Sequence, residues 1–251
     1  CFNDNRLRLI KISHAGASSA RNCGIRCSRG KYLYFIDSDD VLERNALEKC
    51  FVLAEKNKLD FISFNAYTFY DSPFLKEKFP YFEMAYQREL PTKNIYRGED
   101  LFNFQMQEKA YRCVPWLVFP SRKLILDNNI EFKEGITYED NLFVLELYLK
   151  ANRCMHLNEV LYNRRIRRDS CMTKTITPFN LYSYFKVFLG ILDLSHISTS
   201  IETDKNIGIL TVQIAQIIDA QYNTLKNQDL SLYLSSADIF VIKNLMHQKV
   251  S

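Results

Sequence analysis

Several short clusters have the residue types and spacing that could do chemistry. Asp37 and Asp39 flank Ser38, and Asp40 follows directly. An irregular turn can aim both carboxylates at one ion. Such hard oxygen ligands suit Mg²⁺ or Mn²⁺, completed by water and phosphate. The same run also reads as a solvated acidic turn with Asp40 as a helix N-cap. Arg21 and Asn22 follow a turn containing Gly16. Amides at a helix start and a nearby guanidinium favour an anion there, although Arg21 also reads as a surface helix charge. Glu139 and Asp140 come after Gly135-Ile136-Thr137-Tyr138, where a loop meets a predicted helix. A carboxylate there can take a proton from a hydroxyl, an aid worth roughly 10²–10⁴ in rate. It can equally serve the helix macrodipole. Arg164, Arg165, Arg167 and Arg168 could neutralise phosphate or form a solvated strand edge. Trp116 could stack on a sugar ring or lie in the core. His14, His156, His196 and His247 are scattered and make no metal-ligand pattern.

The surrounding elements must position these groups. Arg6 to Ile12 alternates partially and predicts a strand. Ser18 or Ser19 can cap a helix to about Cys27, which Gly30 closes. Lys31 to Ile36 predicts a buried strand ending at the acidic turn. A helix is expected over Leu42–Lys56, with Asp40 and Glu43 spaced as a capping box. Leu59–Phe69 predicts a third strand. This alternation implies an α/β fold with a mostly parallel sheet flanked by helices. Ligands of such sheets bind at the carboxyl ends of the strands, where Asp37 falls. Asp71 to Pro91 reads as loops and short elements. Helices are expected over Gly98–Lys109, Ser121–Asn128 and, amphipathic, Asp140–Ala151. Pro115–Phe119 predicts a strand or turn, and Val160–Tyr162 a strand. The tail from Pro178 reads as helical.

Composition excludes several classes. The chain has 251 residues and a formal net charge of +4, too mild to announce nucleic acid as a partner. Apolar residues make up 47% and charged residues 25%, which argues against disorder. The seven cysteines include no C-x-x-C pair and read as reduced thiols of a cytoplasmic protein. No apolar run is long enough for a transmembrane helix. Apolar faces in the tail (Ile209, Val212, Ile214, Ile217 and Ile218) carry few basic residues. Docking at the inner face of a membrane therefore has weak support.

The order of the clusters is more specific than any one of them. His14-x-Gly16-x-Ser18-Ser19-Ala20-Arg21-Asn22-x-Gly24 precedes Gly30-Lys31-Tyr32-x-Tyr34-Phe35-Ile36-Asp37-Ser38-Asp39-Asp40. Pro115-Trp116 with Phe119, then Ile130-x-Phe132-x-Glu134-Gly135-x-x-Tyr138-Glu139-Asp140, comes next. Tyr162-Asn163-Arg164-Arg165-Ile166-Arg167 with Ser170 closes the series. Over about residues 6–173 this order resembles the family 2 glycosyltransferases with the GT-A fold. The resemblance implies inverting transfer of a sugar from a nucleotide-diphosphate donor, a UDP-sugar first, to an acceptor hydroxyl. The acceptor would be a glycan or a lipid-linked molecule, in polysaccharide or surface glycan synthesis. Asp39 would be the main ligand of Mn²⁺ or Mg²⁺, with Asp37 helping at the metal or the ribose. Arg21 and Asn22 would lie near the nucleotide, and Arg165 and Arg167 near the diphosphate. Asp140 would be the general base, supported by Glu139, and Trp116 would face the acceptor.

One departure bears on activity. No V-S-[IV]-I-[IV]-P-like strand or D-G-S-like turn precedes Arg6, although the family's domain opens with one that binds the nucleotide base. The expectation is a partial GT-A domain over residues 1–173, a helical region over 174–251, and poor or no donor binding. A remnant that binds without catalysing, and a metal-dependent phosphohydrolase using the same acidic turn, are the other readings. The phosphohydrolase leaves Gly135–Asp140 and Arg164–Ser170 unexplained.

Overall fold

The computed structural model describes residues 4–91, 94–168 and 175–247. Ser170 and the expected boundary at 173–174 lie outside these residues. The elements are α1 (Gly16–Cys27), β1 (Val41–Leu42), α2 (Ala46–Asn57), β2 (Phe61–Tyr70), α3 (Pro73–Lys78), α4 (Gly98–Gln107), β3 (Val118–Pro120), α5 (Arg122–Asp127), α6 (Asp140–Lys150), β4 (Cys154–Ile166), α7 (Pro178–Ser195), α8 (Ile201–Leu225) and α9 (Ser236–His247).

The sheet runs β1-β4-β2-β3. Its long central ladder, β2 on β4, is parallel, while short β1 and β3 pair antiparallel on the two outer sides. Parallel strands are usually covered on both faces, and β2 obeys this. Phe61 packs with α4, α6 and the tail helices, while Ile62, Phe64 and Ala66 pack with Ala46, Cys50 and Ala54 of α2 and with Trp116. The two faces thus carry two separate apolar clusters.

Helix α6 lies at the centre of the first cluster. Leu142 to Leu145 and Leu147 to Leu149 are all buried, so α6 is enclosed nearly all round rather than amphipathic as expected. Leu181, Phe185 and Ile191 of α7 and Ile207, Leu210 and Ile214 of α8 close the same cluster. At the start of α4 the backbones meet. A Cβ on Gly98 would lie 1.9 Å from the Tyr148 carbonyl oxygen, so glycine is required there. Among the described residues, no helix is long and apolar enough to cross a membrane.

Three expected elements change. Residues 7–13 are irregular rather than a strand: no described strand pairs with them, and Leu7, Leu9, Ile10 and Ile12 are exposed. Alternation alone does not make a strand when its backbone groups have no ladder. Residues 31–36 make a single bridge, Tyr32 to Ser121, instead of a buried strand. Leu33 N–H donates to Pro120 O, while Ile36 is exposed. The helix expected from Leu42 begins at Ala46, because Val41 and Leu42 pair with Asn163 and Tyr162 of β4. Asp40 is therefore not its N-cap. Asn45 occupies that position, without a side-chain cap.

Candidate active site

The acidic turn follows the extended segment 31–36 and abuts β4. Asp40 fastens it: Arg165 N–H donates to Asp40 Oδ1 at 2.7 Å, and the Tyr162 hydroxyl donates to Oδ2 at 2.5 Å. Burial raises the Asp40 carboxyl above its usual range, and these two donors work against that rise. Asp39 behaves oppositely. The Arg167 guanidinium donates to its Oδ2 and holds the carboxyl below the usual range. Asp37 remains nearly half exposed.

Across from this turn, the loop before α6 presents Glu139 and Asp140. The loop is shaped by two residues in the left-handed region, Gly135 at φ +76° and Tyr138 at φ +66°. A tyrosine there stores strain that its surroundings must hold. Tyr138 stacks on Tyr184 of α7 at 4.0 Å, and Asn180 Nδ2 donates to its hydroxyl at 3.0 Å. The tail helices thus hold the backbone that carries the carboxylates. Asp140 is pushed up to about 7, chiefly by burial, with Arg21 opposing and Glu139 and Asp37 adding to the rise. Nearby Cys113 is pushed up to about 12 by burial and donates to Asn141 Oδ1.

Arg21 of α1 joins the two sides. Its Nη1 lies 2.7 Å from Glu139 Oε1 and 3.0 Å from Asp140 Oδ1, and its Nη2 lies 3.5 Å from Asp37 Oδ1. The guanidinium also sits over the Phe132 ring at 5.1 Å. One cation therefore bridges three carboxylates that lie far apart in sequence. Burial restricts this group more than a surface ion pair would be restricted.

The other expected site residues divide. Arg167 reaches the acidic turn, but the Arg165 side chain turns away to Asp71, at 2.6 Å. Asn22 is buried and committed to structure. Its Nδ2 donates to Phe132 O and its Oδ1 accepts from Phe132 N–H, both at 2.8 Å. It fixes the strand-like loop beneath Arg21 rather than facing a ligand. Trp116 is only 5% exposed and already stacks on Tyr162 at 4.7 Å and 11°. It is a core residue with no open face for an acceptor sugar. Sequence reasoning missed the bracing role of Asp40 and Tyr162. The signal was present, since Tyr162 opens the arginine-rich motif.

Divalent cation binding depends on the donor set. Among the described residues, no three His, Cys, Asp or Glu side chains gather as a metal cage. The two hard carboxylates of the turn still fit Mg²⁺ or Mn²⁺, which commonly take one or two carboxylates and complete their shell with phosphate and water.

The sequence profile described as "Glycosyl transferase family 2" matches residues 2–114 of this chain, which has a GT-A type fold. The chain is 27% identical over 169 residues to "Uncharacterized glycosyltransferase YibD" of Escherichia coli, covering 67% of this chain and 47% of that protein. It is 25% identical over 240 residues to "Glycosyltransferase GlyG" of Streptococcus pneumoniae, covering 92% and 74%. Among solved structures, S. aureus TarS 1-349 in complex with UDP-GlcNAc superposes with a TM-score of 0.55 at 18% identity, covering 94% of this chain and 61% of that one. The chain thus spans about half the length of the first of these relatives.

Proposed function

We propose that this chain carries the catalytic centre of an inverting glycosyltransferase that moves a sugar from a nucleotide diphosphate, UDP first, to a hydroxyl of a glycan or lipid-linked acceptor. The product would be a polysaccharide or surface glycan. The observation that carries the reading is the Arg21 bridge, which sets Asp37 against Glu139 and Asp140. A single displacement needs charge stabilisation at the leaving group and a proton acceptor at the attacking oxygen. The two sides of the bridge offer one each.

Asp140 is the proton acceptor in this reading. A carboxyl poised near neutral pH combines a useful deprotonated fraction with real basicity. Glu139, buried beside it, keeps Arg21 in place. Asp39 and Asp37 would hold Mn²⁺ or Mg²⁺, which supplies positive charge to the departing diphosphate. Arg167 keeps Asp39 ionised and adds positive charge beside it. Arg21 is near enough to both sides to bind the nucleotide's phosphates or to steady the base. UDP-GlcNAc in the TarS complex supports the choice of a uridine nucleotide.

The test is calorimetry of UDP with the longest product of the gene, with and without Mn²⁺, and with Asp39→Ala. The reading expects binding that needs the metal and is lost in the variant. Binding of equal strength without Mn²⁺ and in Asp39→Ala would contradict it.

A further inference from the structure

We infer that Tyr162 is a positioning residue for the cation-binding turn, acting through Asp40 rather than by touching the ligand. The inference rests on the donor-site reading of Asp37 and Asp39. Tyr162 lies on β4 and is fully buried. Its ring is clamped between Trp116, stacked at 4.7 Å, and Tyr34, edge-on at 6.5 Å. The Tyr34 hydroxyl in turn donates to Trp116 O at 2.8 Å. These contacts leave the phenol little freedom, so its oxygen is a fixed point in the molecule.

That oxygen meets both ends of the Asp37–Asp40 turn. It donates to Asp40 Oδ2 and accepts from Asp37 N–H at 3.4 Å. Among the described residues, Tyr162 is the side chain that bonds both. Arg165 N–H, three residues further along β4, adds the second tie to Asp40 at 2.7 Å. The backbone closes the loop with Asp40 N–H donating to Asp37 O at 3.2 Å. Asp37 and Asp39 are short side chains, so the position of their backbone sets where their oxygens fall. A cation such as Mg²⁺ demands near-ideal oxygen geometry and tolerates little drift. Buried partners that lock the orientation of ligand-bearing groups tune metal affinity without touching the ion. Asp40 thus has a task distinct from its two acidic neighbours: it is tied inward, and they remain open outward.

The test compares Mn²⁺ affinity, by electron paramagnetic resonance of the free ion, in the presence of UDP. The proteins are the unmodified protein, Tyr162→Phe, Asp40→Asn and Asp39→Ala, each with its melting temperature. Tyr162→Phe keeps the ring stack and removes one oxygen. The expected result is a Mn²⁺ affinity lowered roughly five- to tenfold, as for loss of one hydrogen bond of ordinary net strength. Asp40→Asn, which keeps one acceptor oxygen for the two ties, should fall between. Both variants should remain folded at the assay temperature. Unchanged Mn²⁺ affinity in Tyr162→Phe, with binding abolished in Asp39→Ala, would overturn the positioning role and leave the donor site standing. Unchanged affinity in Asp39→Ala as well would overturn both.

Discussion

The two sides of the site use the same residue type in opposite environments. Asp39, on the acidic turn, is partly open to solvent and held in its ionised form by Arg167. Asp140, on the first turn of α6, is pushed up to about 7 by burial. The first suits a charge that must stay negative to hold a cation. The second suits a group that must take a proton and give it up again. Environment, not residue type, separates the two groups, and carboxylates driven apart in this way commonly mark functional positions. The supports differ too. The turn is tied to the cluster around Trp116 and Tyr162, whereas the Asp140 loop leans on the tail helices through Tyr138 and Tyr184. Arg21 spans the two.

The comparison is broken most directly at Asp140. Asp140→Asn should lower the transfer rate by roughly 10²–10⁴, measured as initial rate with a UDP-sugar. It should not destabilise the protein at neutral pH. The folded carboxyl, at about 7, binds its proton more tightly than the unfolded one, near 4. Stability therefore falls as pH rises from about 4 to about 7, and the full cost is present above that window. The asparagine variant escapes this cost. Allowing for partial exposure and the weakened bond from Arg21, it should gain about 1–2 kcal/mol at pH 8 relative to pH 4, read from denaturant midpoints. A variant that keeps full activity would remove Asp140 from the chemistry.

Trp116 sharpens the other side. Trp116→Ala opens a cavity under Tyr162 and should cost about 3–5 kcal/mol in urea unfolding. In Trp116→Phe, which keeps an aromatic ring in the stack, the acceptor KM should stay within twofold. A raised acceptor KM without loss of stability would restore the sugar-stacking role.

Much of this was legible in the sequence, and the failures have physical causes. The ordered motifs located Arg21, Asp37, Asp39, Glu139 and Asp140; the structure gathers Asp37, Glu139 and Asp140 as three ion pairs on Arg21, while Asp39 pairs with Arg167. Asn22 and Trp116 misled because polar and aromatic residues serve backbone anchoring and packing as readily as binding. Their burial is a tertiary fact. Residues 7–12 alternate, yet alternation cannot say whether a ladder partner exists. Asp40 and Glu43 had the spacing of a capping box, but strand pairing of Val41 and Leu42 with β4 overrode local capping. Helix α6 read as amphipathic because only its near face was credited to the core. The tail helices, remote in sequence, bury the rest.

The most direct measurement is a carbon-detected NMR titration of the aspartate carboxyls, assigned with Asp39→Ala and Asp140→Asn. The account predicts that Asp140 titrates near 7 while Asp39 titrates below the usual carboxylate range. Two midpoints both close to 4 would contradict the division of roles on which the site's chemistry depends.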